Sequence, residues 1–200
     1  MDDKKPKSYF NYKSIVTRNE IKEILNIEPY LITLNTAKVA HVYNKYTEQL
    51  IGILNVDIDW DIKTLMFNIA RESVIVIYVK KQRVTARKAI QCCEVKRKDF
   101  GKLNDRKVYK QIFTSEEILY PGYIEFDEPT KMAVTKTSYP PTLKIWSLLD
   151  YKMLFSLSPD EAEYAFEVRF AQKLVILIKK VNDFQVAFDI IEPKTGSTIK

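Results

Sequence analysis

The residues best suited to chemistry are few. The only histidine is His41, and the only cysteines, Cys92 and Cys93, are adjacent. One imidazole and two thiolates could ligate a borderline metal such as zinc. Zinc sites normally place a two-residue spacer between paired cysteines, so no metal is expected here. A Ser-His-Asp arrangement would need a serine on a constrained turn, and no Gly-x-Ser-x-Gly is present. His41 is therefore read as a solvent-facing strand residue. Neighbouring strand residues point to opposite faces, so Cys92 and Cys93 are expected as free thiols, one buried and one on an outer face. Free thiols point to a reducing compartment. Asp57, Asp59 and Asp61 alternate as cation ligands might, but lack the glycine turn and distal Glu of a calcium loop, so they read as an acidic turn. Glu116/Glu117 and Glu161/Glu163 read as solvated loop charges rather than an acid/base pair. Gly52, Gly101, Gly122 and Gly196 are too scattered to cradle a phosphate. The expectation is a protein that is not an enzyme, with no metal and no cofactor.

Charge is the one unusual physical feature. From Lys80 to Lys110 there are twelve Lys/Arg against three acids, Glu94, Asp99 and Asp105, in a chain whose net charge is only +6. Much of this excess falls on Lys96-Arg-Lys-Asp-Phe-Gly-Lys-Leu-Asn-Asp-Arg-Lys107, read as a polar insertion projecting between two strands. Lys96, Arg97, Lys98, Lys102, Arg106 and Lys107 are the candidate partner-binding residues, suited to an acidic protein tail, an anionic lipid or RNA. Only Phe100 and Tyr109 interleave as aromatics, which is thin for stacking bases.

The elements that must position these residues read as strands. The 200 residues carry 46% hydrophobic and 29% charged side chains, a globular composition. No apolar run reaches the roughly 18–20 residues of a membrane-spanning helix, and Met1–Phe10 lacks an apolar secretory core. Four glycines are few for turns, so Asn, Asp, Ser and Pro are expected to shape them. Short β-rich runs bounded by turn signals recur throughout. They are Ile21–Ile27, Tyr30–Asn35, Val39–Tyr43 and Gln49–Val56; then Lys63–Ala70, Ser73–Val79, Ala86–Val95 and Val108–Thr114. Four more lie within Tyr120–Leu157, followed by Tyr164–Phe170, Leu174–Ile178 and Gln185–Ile191. Tyr9–Val16 reads as a lone strand, and Ser158–Tyr164 as a short helical turn or loop.

These runs repeat in fours. Val39–Leu54 overlays Thr142–Leu157 without a gap, and Phe184–Ile199 continues the series. Each copy has an aromatic followed by a small polar or acidic residue: Tyr43-Asn44, Trp146-Ser147, Phe188-Asp189. First strands repeat as Leu65-Met-Phe67, Ile124-Glu-Phe126 and Val168-Arg-Phe170. A four-strand unit of about 40–45 residues is the signature of propeller blades. The expected class is all-β, a partial propeller of three to four four-stranded antiparallel blades. Residues 1–16 form a tail and possible closing strand. The blades fall at about 17–57, 58–118, 119–158 and 159–200, the last lacking most of its outer strand. Trp146 is expected to pack between blades.

With these pairs in place, the chain resembles degenerate WD-repeat β-propellers, Tyr43-Asn44, Trp146-Ser147 and Phe188-Asp189 standing where that family has Trp-Asp. The family's Gly-His before the first strand is absent. Leu119-Tyr-Pro-Gly-Tyr-Ile-Glu-Phe-Asp127 with Leu143–Leu157 is similar to an uncharacterised WD-like family of plants and protists, Leu148-Leu-Asp-Tyr-Lys152 matching its outer turn. The resemblance implies a scaffold and no known activity. Typical propellers close with about 4–8 blades, so the chain is expected to be part of a longer propeller, with closure as a small ring or by another chain as the alternatives. The expected function is a non-catalytic scaffold for protein–protein interaction, acidic proteins among its partners. Nucleic-acid or polyanion binding through 80–110 is the alternative. The expected location is cytoplasmic, with cytoskeletal or ciliary association as a variant.

Overall fold

The computed structural model describes residues 19–54, 59–81, 89–113, 118–119, 123–138, 141–157 and 165–199. The expected strand at Tyr9–Val16, the turn at Ser158–Tyr164, and Asp57, Glu116, Glu117, Glu161, Glu163 and Gly122 lie outside them.

Four antiparallel sheets follow one another along the chain, each a meander of consecutive strands. The first contains β1 (Ile21–Ile27), β2 (Tyr30–Asn35), β3 (Ala40–Asn44) and β4 (Leu50–Ile53). The second contains β5 (Trp60–Asn68), β6 (Ser73–Lys80), β7 (Ala89–Lys96) and β8 (Tyr109–Ile112), with β9 (Ile118–Leu119) extending the same edge of β7. The third contains β10 (Tyr123–Asp127), β11 (Met132–Ser138), β12 (Pro141–Ser147) and β13 (Met153–Leu157). The fourth contains β14 (Ala165–Ala171), β15 (Leu174–Asn182), β16 (Gln185–Ile191) and the two-residue β17 (Thr198–Ile199). This is an all-β propeller-type architecture of four-stranded blades.

Second strands are apolar on both sides because each middle blade is covered on both sides. On β6, Ser73 to Tyr78 are all buried. Val74, Val76 and Tyr78 face the first blade's Ile32, Leu34, Ala40 and Val42 in one core cluster. Ile75 and Ile77 face the third blade's Ala133, Trp146 and Leu148 in another. A third cluster joins Val134, Leu143 and Ile145 of the third blade to Val168, Val175, Leu177 and Ile191 of the fourth. Each such Val, Leu or Ile contributes about 1.5–3 kcal/mol by leaving water. No core cluster among the described residues joins the fourth blade to the first.

The registers align the sheets position by position. Tyr43 lies opposite Leu31, Val95 opposite Val74, and Trp146 opposite Ala133. The first strands supply Asn26, Phe67 and Phe126 beside them. In the fourth sheet the same row reads Phe170, Val175, Ile191. Ile191, not Phe188, therefore holds the position of Trp146. The turns agree: Asn44 N–H bonds to Gln49 O, Ser147 N–H to Lys152 O, and Glu192 N–H to Ser197 O. Each of these turns contains one positive-φ residue: Glu48 (58°), Tyr151 (62°) or Gly196 (69°). The sequence overlay followed the aromatic, whereas the fold follows the turn.

The turns also correct the expectation about their chemistry. Among the described residues, the non-glycine ones at positive φ are Lys38, Glu48, Glu72, Phe113, Lys131, Tyr151, Gln172 and Lys173. Asn and Asp act instead through their side chains. Asn44 Oδ1 accepts from the amides of Tyr46 and Thr47, and Asn35 Oδ1 accepts from Val39 N–H.

Candidate interaction surfaces

The basic insertion does not project. Arg97–Lys102 is a 3-10 segment, and Arg106–Val108 is a second short one whose cap, Asp105, accepts from Lys107 N–H. Phe100 is fully buried and Leu103 nearly so, both within the core shared by the first two blades. Phe100 meets the Tyr30 ring edge-on at 5.1 Å. Leu103 presses on Gly52, where an added Cβ would lie 3.1 Å from its side chain. Tyr109 Oη donates to Leu103 O at 3.0 Å. Two apolar residues three apart hold a highly charged segment against the blades.

That packing divides the six candidate cations. Lys96 Nζ lies 3.0 Å from Glu94 Oε1 and donates to Arg71 O. Arg97 pairs with Glu72 at 3.1 Å and also donates to Glu28 O in the first blade. These two side chains are engaged in holding the fold. Lys98, Lys102, Arg106 and Lys107 are exposed and form no ion pair among the described residues.

Lys96 belongs to a polar cluster that sequence spacing did not reveal. Glu94, on β7, is buried with a side chain only 2% exposed. Its Oε1 accepts from Arg71 Nε at 2.7 Å, Ser73 Oγ at 2.8 Å and Tyr151 Oη at 3.0 Å; Oε2 accepts from Arg71 Nη2 at 3.2 Å. Arg71 closes the 3-10 turn Ile69–Arg71, and Tyr151 stands in the outer turn of the third blade. The Arg71 guanidinium sits 4.7 Å above the Tyr151 ring and donates to Leu149 O at 2.5 Å. Asn68 Nδ2 donates to Leu148 O and to Tyr151 Oη. The cluster clamps the third blade to the second. Burial alone would raise the Glu94 pKa, but bonds from Arg71, Lys96, Ser73 and Tyr151 outweigh it and hold the carboxyl down at about 2. Burial, with the Glu94 charge beside it, pushes Tyr151 up to about 12. Its charges are satisfied by one another, a structural arrangement.

Trp146 packs between blades as expected. Its ring lies 5.1 Å from Phe113, and Nε1 donates to Thr135 Oγ1 at 2.9 Å. The cysteines differ from expectation: both are buried, since Cys92 faces the third blade and Cys93 the first. Burial raises both thiols, Cys93 to about 11 and Cys92 further, which leaves them unreactive. His41 is half-buried rather than solvent-facing. Burial lowers its pKa, its ring stacks on Tyr43, and Nδ1 has no hydrogen-bond partner among the described residues. Asp61 pairs with Lys81. Among the described residues, no three His, Cys, Asp or Glu side chains come together to hold a metal ion, and no helix is long and apolar enough to cross a membrane.

Among the described residues, exposed large apolar strand residues lie on the first blade, at Ile24, Leu50 and Ile53, and on the fourth. Register places Ile176 opposite Ile190 and Ile178 opposite Phe188 on the side away from the third blade, with Ile199 beside Ile190. Phe188 is 61% exposed, and Val186, Ile190 and Ile199 are exposed as well; Phe184, in the hairpin between β15 and β16, is 97% exposed.

These four-stranded blades and the clamp between two of them define a propeller-type protein. The chain belongs to the family described as "Domain of unknown function (DUF7899)", whose model matches residues 1–200. No curated protein matches it. Among solved structures it is similar to the computationally designed Ika4 protein (14% identity, TM-score 0.42, covering 86% of this chain and 91% of that one). It is also similar to Saccharomyces cerevisiae Sqt1 (12% identity, TM-score 0.44, 91% of this chain and 62% of that one). A third is the computationally designed Ika8 protein (10%, 0.36, 91% and 74%).

Proposed function

We propose that this protein is a non-catalytic scaffold of the WD-repeat-like propeller type that binds other polypeptides through its blade faces, in the cytoplasm. The observation that carries the reading is the fourth blade's apolar face. Exposed contiguous apolar surface on a folded protein marks an interaction site, and here Phe188, Val186 and Ile190 supply it from a single strand. The main buried carboxylate, Glu94, is committed to internal partners, which fits a structural rather than a catalytic role.

The test is a photo-cross-linking side chain at position 188 in the protein within its source cells, with one at exposed Lys152 as control. Protein adducts at 188, absent at 152 and lost on adding Ile190→Asp, are the expected result. Their absence at 188 would remove the scaffold reading of this face.

A second reading rests on Lys98, Lys102, Arg106 and Lys107, exposed without ion-pair partners among the described residues. Replacing all four with Gln should reduce RNA affinity and flatten its salt dependence by a slope of about 0.7 per lost phosphate contact on single strands. An unchanged affinity and slope would end that reading.

A further inference from the structure

We propose that one end of the first three blades, the end where β1 turns into β2 and β3 into β4, docks on an anionic lipid bilayer. This goes beyond the scaffold reading, and it draws on cations that the RNA reading also uses.

Among the described residues, each of these blades has one large exposed apolar side chain in a turn at this end. Tyr46, between β3 and β4, is 72% exposed; Ile69, between β5 and β6, is 61%; Leu149, between β12 and β13, is 57%. Within each blade the two hairpin ends on this side meet. Lys45 N–H bonds to Pro29 O, Arg97 N–H to Glu72 O, and Leu148 N–H to Lys131 O. The blades are also tied to one another here. Arg71 donates to Leu149 O and Asn68 Nδ2 to Leu148 O, which sets the Ile69 turn against the Leu149 turn. Arg97 pairs with Glu72 and donates to Glu28 O, and the Glu28 carboxylate accepts from Tyr46 Oη. Side-chain bonds across blade boundaries therefore hold the three apolar tips in fixed relation.

The charges at this end leave cations over. Glu28, Glu72 and Asp150 have Lys45, Arg97 and Lys152 as partners, and buried Glu94 is held by Arg71 and Lys96. Lys98, Lys102, Arg106 and Lys107 stay exposed in the segment joining β7 to β8, against Asp99 and Asp105 in the same segment. Polypeptide partners seat apolar anchors in packed pockets. Here the apolar side chains stand at the tips of three separate turns, which a flat partner can meet together. RNA bases stack on aromatic rings, which Ile69 and Leu149 do not offer. A bilayer uses both features: apolar side chains enter the boundary between headgroups and acyl chains, and Lys/Arg are drawn to an anionic leaflet.

Co-sedimentation of the full chain with phosphatidylcholine vesicles containing roughly one-third phosphatidylserine, an anionic lipid, tests this. Binding to these vesicles, weakened by salt, and none to pure phosphatidylcholine is the expected result. Ile69→Asp combined with Leu149→Asp should lower the affinity by about 10-fold or more. Lys98, Lys102, Arg106 and Lys107 changed together to Gln should do the same, at about fivefold per cation in contact. Phe184→Asp, at the 97% exposed residue of the opposite end, should leave binding intact. Leu149→Cys can be labelled selectively because Cys92 and Cys93 are buried. An environment-sensitive fluorophore there should shift to shorter wavelength on the mixed vesicles, a readout that loss of folding does not imitate. No binding, equal binding to pure phosphatidylcholine, no shift of the fluorophore, or equal loss from Phe184→Asp would each overturn the proposal. So would binding that depends on the four cations but not on Ile69 and Leu149, the pattern of a general polyanion site such as the RNA reading describes. The scaffold reading fails separately. Protein adducts at position 188 without vesicle binding sink the bilayer and leave the scaffold, and vesicle binding without adducts does the reverse.

Discussion

Glu94 shows how one carboxylate can hold two blades together. It is buried on β7, and its four partners come from three places: Arg71 and Ser73 from the 3-10 turn and the first residue of β6 that follows it, Lys96 two residues along its own strand, and Tyr151 from the next blade. Breaking a fully buried pair costs about 3–5 kcal/mol. Arg71 and Lys96 keep partial access to water, so Glu94→Gln should cost about 2–3 kcal/mol in urea unfolding, the range of hydrogen bonds to charged groups. The pH dependence has a definite sign. Glu94 titrates near 4.5 when unfolded and at about 2 when folded. Its contribution is therefore complete above pH 4.5 and disappears as pH falls toward 2. The stability gap between wild type and Glu94→Gln should narrow through that window. A gap unchanged from pH 6 to pH 2.5 would show that the carboxylate's charge does not hold the clamp.

The blade-to-blade elements separate what anchors from what is available. In Arg97–Lys102 and the turn after it, Phe100 and Leu103 point inward while Lys98, Lys102, Arg106 and Lys107 stay in water. Phe100→Ala should cost about 3–4 kcal/mol, since it opens a cavity in a core that cannot close around it. It should also speed amide exchange through 97–108. The four exposed cations changed together to Gln should shift stability by no more than about 0.5 kcal/mol each, as surface substitutions do. A large loss from that charge variant would mean the segment is held by its charges rather than by its two apolar residues. Strand positions were legible in the sequence because alternation and turn residues are local signals, and Trp146 declared itself by type. The Glu94 clamp was not, because its members come from separate strands and a distant turn. The insertion was misread because its lysines outnumber its anchors, although the i, i+3 pair Phe100 and Leu103 was the available sign. Phe188 was placed wrongly for a related reason: an aromatic is conspicuous, whereas the turn Glu192–Ser197 that sets the register is not.

At the scale of the molecule, stability should fall off toward the fourth blade. In a linear stack each unit is held mainly by its neighbours. The second and third blades have two each, while the fourth has one described neighbour and leaves Phe188 and Ile190 in water. Native-state hydrogen exchange should find β14–β16 less protected than β6 and β7. Equal protection across all four sheets would indicate a single cooperative unit instead. The junctions themselves differ in kind: the first is plugged by Phe100 and Leu103, the second is locked by Glu94 and Tyr151, and the third is built on a cluster of Val, Leu, Ile and Met side chains. Chains built of near-identical repeats risk joining the wrong neighbours as they fold, within one molecule or between two. Here a misplaced fourth blade would meet Glu94 and Arg71 with no Tyr151 to offer them, stranding a buried charge. The unlike junctions thus act as addresses, and the divergence that obscures the repeat in the sequence gives each blade one correct place in the order.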